Sequence, residues 1–167
     1  MGKKITKIAI FDFDGTLARS PEEKAGREQY EAVKGVPYPH KGWWSKRESL
    51  DTDIFDIEMI QSTIDDYFKE VGNENTLVIM MTGRMKNQAD QVKAILDSHL
   101  LPFDRYEFKK YGRTIEDKTY KIGKLLAEFP EVVQFEMWED RPEHIVDFKT
   151  WFAENQPTID FKINFVE

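Results

Sequence analysis

Phe11-Asp12-Phe13-Asp14-Gly15-Thr16-Leu17 follows directly on the apolar run Ile5-Thr6-Lys7-Ile8-Ala9-Ile10, and this junction decides how the chain is built. Residues 5–12 are rich in β-branched and aromatic side chains, the pattern of a short buried strand. Two aspartates two residues apart at the end of such a strand repel one another unless a cation sits between them. With oxygen ligands only, and no histidine or cysteine nearby, the pair suits Mg²⁺. An isolated Asp-x-Asp also serves in turns. The apolar strand before it and the Gly-Thr after it favour a ligand site instead.

Working outward, residues 76–82 and 132–138 read as further buried strands, and residues 105–108 as a weaker one. Residues 160–165 alternate, as a half-covered edge strand does. Between them run apolar stripes at helical spacing: Ile57, Ile60, Ile64, Tyr67, Phe68 and Val71, stopped by Gly72; Met85, Ala89, Val92 and Leu96; Ile122, Leu125, Leu126 and Phe129, stopped by Pro130; and Ile145, Phe148 and Phe152, begun by Pro142. Alternating strands and helices predict a three-layer α/β fold, its mostly parallel sheet of about five strands lying between helix layers. Ligands of such sheets bind beyond the carboxyl ends of the strands. The three best strands end in Asp12-Phe13-Asp14, Thr82-Gly83-Arg84 and Glu139-Asp140-Arg141, each a chemically capable cluster.

Residues 20–53 break the pattern with Gly35, Pro37, Pro39, Gly42 and the exposed-looking pair Trp43-Trp44. They read as a loop-rich cap or flap over the site, with one short helix near residues 22–34, inside a single domain spanning residues 1–167. The 167 residues suit one core, and 40% hydrophobic and 13% aromatic content argue against disorder. A net charge of −7 confines any polyanion site to a local basic patch. The absence of cysteine excludes disulfides and thiolate chemistry. No run is long and apolar enough to span a bilayer. Met1-Gly2 with Thr6 matches an acylation pattern only loosely. The expectation is a cytoplasmic protein with no feature demanding an obligate protein partner.

Phe11-Asp12-Phe13-Asp14-Gly15-Thr16-Leu17 resembles motif I of the haloacid dehalogenase (HAD) superfamily, whose fold is Rossmann-like. Met81-Thr82-Gly83-Arg84 resembles motif II and Glu139-Asp140-Arg141-Pro142 the acidic motif IV. The resemblance implies a phosphatase in which Asp12 attacks phosphorus to form an aspartyl-phosphate. Asp14 then protonates the leaving oxygen and activates water. The Asp12 carboxylate, the Asp14 carbonyl and Asp140 hold Mg²⁺, with Glu139 behind them. Thr82 and Gly83, expected at a strand-to-helix turn, donate to a phosphoryl oxygen. Motif III supplies a lysine, for which Lys118 and Lys121 compete on one helix. Arg84 and Arg141 either fork a phosphate or pair with neighbouring carboxylates. His40 and His144 have no ligand-like spacing.

Gly42-Trp43-Trp44 with Ser49-Leu50, Leu101-Pro102-Phe103-Asp104, residues 114–118 and Glu139-Asp140-Arg141 with His144 further resemble the Swiss Army Knife RNA repair-like HAD domain. Polynucleotide kinase-phosphatases share a similar Thr-Gly-Arg turn. This implies a phosphorylated substrate on a nucleic-acid end, 3′-phosphatase fashion, with Trp43 and Trp44 either stacking a base or pinning the insertion to the core. Lys109, Lys110, Tyr111 and Arg113 form a basic run, usually a solvated loop. Two other classes stay open: a small-metabolite or nucleotide phosphatase, which has the same motifs, and a non-catalytic HAD-fold binding module, which typically lacks one of the acidic or lysine positions that this sequence retains.

Overall fold

A computed structural model describes residues 3–167; Met1 and Gly2, and with them the acylation pattern, lie outside the described residues. Five strands form one all-parallel sheet: β1 (Lys7–Phe11), β2 (Thr76–Met85), β3 (Arg105–Lys109), β4 (Gln134–Glu139) and β5 (Asp160–Phe165), in the order β3-β2-β1-β4-β5. Five α-helices accompany them: α1 (Glu23–Lys34), α2 (Gln61–Val71), α3 (Ala89–Ser98), α4 (Thr114–Glu128) and α5 (Pro142–Asn155). The most apolar strand, β1, lies at the centre, covered on both faces as its composition requires.

Because side chains alternate along a strand, β1 divides its residues between two cores. Ala9 and Phe11 join Ile64, Tyr67, Val92 and Leu96 from α2 and α3. Ile8 and Ile10 join Ile122, Leu125, Phe148 and Phe152 from α4 and α5. Each fully buried side chain of this size stabilises the fold by roughly 1.5–3 kcal/mol. In the first core Phe11 stacks on Trp138 of β4, ring centroids 4.1 Å apart and planes 8° from parallel. Tyr67 and Phe103 meet Phe11 edge-on. The pattern continues past β1, so Asp12 shares the face of Ile8 and Ile10.

Three boundaries differ from the sequence reading. The strand expected to end at Thr82 continues to Met85, and a short 3-10 turn (Lys86–Gln88) separates it from α3. Thr82 and Gly83 therefore lie in a strand rather than at a helix entry. Ile57 and Ile60 precede α2 in an irregular approach that buries both. Phe68 and Val71, counted in that apolar stripe, face outward at 54% and 46% exposure.

Residues 20–53 hold the expected helix, α1, and a 3-10 turn at Arg47–Leu50. Tyr38, Trp43 and Leu50 are buried in the same core as Phe11 and Trp138. Trp43 is 1% exposed, gives its indole N–H to the Pro21 carbonyl at 2.8 Å, and lies over Gly26 of α1. A Cβ on Gly26 would fall 2.1 Å from the indole, so the helix needs glycine there. Among the described residues no helix is long and apolar enough to cross a membrane.

Candidate active site

The register of the central strands builds the site. Phe11 pairs with Trp138, so the next residues, Asp12 and Glu139, emerge side by side at the carboxyl edge, and the Asp12 N–H donates to the Trp138 carbonyl at 3.2 Å. Helix α4 crosses that face and presents Lys118 from its first turns. The Lys118 ammonium is 1% exposed and donates to Asp12 Oδ1 at 3.0 Å and Glu139 Oε2 at 3.3 Å. Burial works against the charge of Lys118, but the two carboxylates outweigh it and raise its pKa. Lys121, the competing candidate, binds Asp117 at 2.7 Å and the Phe108 carbonyl, away from the cluster.

Burial also dominates at Asp12 and, with Glu139 adding repulsion, pushes its carboxyl well above the usual range despite Lys118. Asp140 is pushed up to about 6 by burial first and Glu139 second. At Glu139 burial is overcome by Lys118, and the pKa falls. Carboxylate oxygens of Asp12, Glu139 and Asp140 all lie within 4.8 Å of one another. One ammonium cannot balance three carboxylates. This donor set, oxygen only and two charges in excess, fits a hard divalent cation such as Mg²⁺. Gly15, in the left-handed conformation at φ 70°, admits Asp140 to the cluster, since a Cβ there would sit 2.2 Å from Asp140 Oδ2. Glu139 stands in the carboxylate cluster beside Asp12 and Asp140, while the Asp14 side chain is engaged elsewhere.

Asp14 is gripped by Arg84 through two nitrogens, Nε to Oδ2 at 2.9 Å and Nη2 to Oδ1 at 2.8 Å. Ser20 adds a hydroxyl to Oδ1 at 2.5 Å. Arg84 is 3% exposed, and its Nη1 donates to Ser49 Oγ at 2.7 Å and the Trp44 carbonyl at 3.0 Å. Of the two readings of Arg84, pairing with a carboxylate is the one found. With its side chain so held, Asp14 retains its backbone carbonyl as the group to offer a metal.

Asp12, Asp14, Gly83, Arg84, Lys118, Glu139, Asp140, Arg141 and Trp44 line one cleft of about 390 Å³. Thr82 is fully buried behind this wall, and its hydroxyl accepts the Arg84 N–H at 3.1 Å. Gly83 packs on Thr114 so closely that a Cβ would lie 2.8 Å from it. Of the two readings of the tryptophans, pinning to the core holds for Trp43, whereas Trp44 lines the cleft; the turn closed by the Lys46 N–H on the Trp43 carbonyl at 3.0 Å separates the two side chains. Among the described residues no side-chain hydrogen bond or ion pair engages Arg141 or Lys109, both at the cleft. Sequence reasoning assigned no role to Ser20, and took Ser49 and Thr114 only as part of a resemblance, because what they do depends on contacts between distant segments. It also gave no role to His144, which borders the cleft with its Nδ1 buried and unpartnered, 3.8 Å from Glu139. Burial lowers the His144 pKa from its ordinary value.

Solved structures share this architecture. A chain of the Pnkp1/Rnl/Hen1 complex superposes with a TM-score of 0.57 at 15% identity over 98% of this chain, which spans about half (47%) of that one. The HAD domain of effector protein Lem4 from Legionella pneumophila, an inactive mutant, gives 0.58 at 11% identity over 96% of this chain and 85% of its own. An archaeal β-phosphoglucomutase from Pyrococcus sp. strain ST 04 gives 0.55 at 16% identity, with 87% and 83% covered. These likenesses concern the fold. No curated protein sequence matches the chain. Residues 28–167 match the model of HAD domain family 1 in Swiss Army Knife RNA repair proteins, a segment that begins after Asp12 and Asp14. With that match over most of its length, the chain belongs to the HAD superfamily, as a domain of the Swiss Army Knife type.

Proposed function

We propose that this domain is a Mg²⁺-dependent phosphomonoesterase that works through a phosphorylated Asp12 and removes phosphate from nucleic-acid ends. The observation that carries the reading is the buried Lys118 ammonium between Asp12 and Glu139, facing an acidic cluster at the carboxyl edge of the sheet. Asp12 is the one member of that cluster that lies on the central strand's continuation and opens into the cleft between Lys118 and Asp14.

In this reading an Asp12 oxygen attacks phosphorus in line, and the bond to the leaving oxygen breaks as Asp14 gives that oxygen a proton, which water returns to Asp14 in the second step. Lys118 balances charge around the nucleophile and the phosphoryl oxygens. Arg141, unpaired at the rim, takes a non-bridging oxygen. Gly83 lets the backbone approach the phosphoryl group, and Thr82 stiffens that strand end from behind. Asp12, the Asp14 carbonyl, Glu139 and Asp140 would hold Mg²⁺, which supplies charge neutralisation when bound.

Support for a polynucleotide substrate comes from the family's description in RNA repair and from the cleft itself. Trp44, 39% exposed, offers a stacking surface beside the unpaired cations Lys109 and Arg141, in a protein whose net charge is −7. The test is turnover of 3′-phosphorylated oligonucleotides against nucleoside monophosphates and sugar phosphates, with Mg²⁺ and with EDTA. A preference for the oligonucleotide is expected. Equal or better turnover of the small esters would make the protein a metabolite phosphatase.

A further inference from the structure

The insertion meets Arg84 through a buried hydroxyl, that of Ser49. Ser49 is fully buried, donates to the Lys46 carbonyl at 2.7 Å and accepts from Arg84 at 2.7 Å. Arg84 then grips Asp14 with its other two nitrogens. The same segment is fastened around this point. Gln88 donates to the Lys46 carbonyl at 3.0 Å, Gln91 to the Arg47 carbonyl at 2.9 Å, and Arg47 pairs with Asp90 at 2.7 and 2.9 Å. A segment held to the β2–α3 connection by so many polar contacts is a fixed wall, not a lid.

Arginine forks a carboxylate in a defined plane, so whatever fixes Arg84 fixes the direction in which Asp14 points. Ser49 and the Trp44 carbonyl are the two partners of Nη1. Ser20, on the far side of Asp14, completes the grip with a hydrogen bond of 2.5 Å. So held, Asp14 lines the same cleft as Asp12. The step it serves from this posture is attack of water on phosphorylated Asp12. The water oxygen bonds to phosphorus and the bond from phosphorus to the Asp12 oxygen breaks, its electron pair returning to the carboxylate. The proton lost by water goes to Asp14, and inorganic phosphate leaves.

We infer that Ser49, a residue of the insertion that touches no reacting atom, is a positioning residue for this second half-reaction, acting through Arg84 on Asp14. The inference rests on the phosphatase reading above. A buried hydrogen bond to a charged group and a displaced base both act on one step, and misplacing a general base forfeits part of the 10²–10⁴-fold it contributes, roughly tenfold here.

Stopped-flow hydrolysis of 2,4-dinitrophenyl phosphate separates the two steps, because dinitrophenolate leaves without needing a proton. In Ser49→Ala the burst of dinitrophenolate keeps its rate within about twofold, while the steady-state rate falls about tenfold and phosphorylated Asp12 accumulates in acid-quenched samples. Ser49→Cys, which preserves bulk with a weaker acceptor, shows the same pattern to a lesser degree and serves if the alanine variant fails to fold. Equal loss in burst and steady state, or no loss in either, would overturn the positioning role alone. A wild-type protein that releases no dinitrophenolate would overturn the phosphatase reading, and this inference with it.

Discussion

The Lys118 ammonium stands 3.0 Å from Asp12 across a sequence separation of 106 residues, with neither group more than 8% exposed. Removing one partner of such a buried pair leaves the other charge unmet, typically at about 3–5 kcal/mol. Lys118→Met is expected to lower stability by that order, because Asp12 and Glu139 then face each other without a cation. Chemical denaturation with EDTA and with excess Mg²⁺ checks this, the metal recovering part of the loss.

Asp12→Asn removes the proposed nucleophile while keeping its shape. Hydrolysis of an aryl phosphate is expected to fall at least about a thousandfold, to the level at which nucleophilic catalysis is absent. Stability without metal holds or rises, since one of the crowded carboxylates loses its charge while Glu139 still binds Lys118. Normal turnover by the variant would remove Asp12 from its role.

Metal and protons compete for the acidic cluster. The Asp140 carboxyl, at about 6, lies above its ordinary 3.8. The folded state therefore binds more protons than the unfolded one between those values, and the metal-free protein loses stability as pH rises through that window. Above about pH 6 the part of the penalty that belongs to Asp140 is complete, Asp12 being raised as well, and Mg²⁺ has most to offset. The rise in melting temperature on adding Mg²⁺ is expected to be larger near pH 8 than near pH 5. The Mg²⁺-minus-EDTA difference is the measurement, because His144, lowered by burial, pulls total stability the opposite way as pH falls below its ordinary 6.5.

The two adjacent tryptophans separate cleanly. Trp43→Ala empties a core position and is expected to cost about 3–5 kcal/mol. Trp44→Ala is expected to change stability by less than about 1 kcal/mol, yet raise KM for a 3′-phosphorylated oligonucleotide about tenfold, the value of one lost stack. KM for an aryl phosphate too small to reach the indole stays put.

Gly26→Ala tests the seat of Trp43. Alanine favours a helix by about 0.8–1 kcal/mol over glycine. Here its Cβ would lie 2.1 Å from the indole, and overpacking costs about 1–3 kcal/mol. A net loss in denaturation midpoint is expected.

The sheet and its polar edge were legible because they follow from short-range pattern: apolar runs mark β1, β2 and β4, and the acids stand where those runs end. Lys118 and Lys121 were not separable, since both sit on one helix and only the crossing of α4 over the sheet decides which reaches Asp12. Trp43 and Trp44 were alike in sequence, because only the turn at residues 43–46 decides which of them enters the core. Arg84 could not be assigned, because its partners come from residues 14, 44 and 49, segments that the sequence does not place together. The extension of β2 through Gly83 was missed: Thr-Gly-Arg carries ordinary turn chemistry, and its pairing with β3 resumes only after an irregularity between Met81 and Met85.

The central place of β1, with β2 on one side and β4 on the other, has a consequence for how the protein comes into being. Asp12 leaves the ribosome more than a hundred residues before its neighbours Lys118 and Glu139. A nascent chain thus carries the nucleophile without the cation or the acidic cluster, and contacts of such long sequence separation form late in folding. On the proposed mechanism catalytic competence would arrive only when β4 docks on β1, which would make turnover a reporter of completed topology.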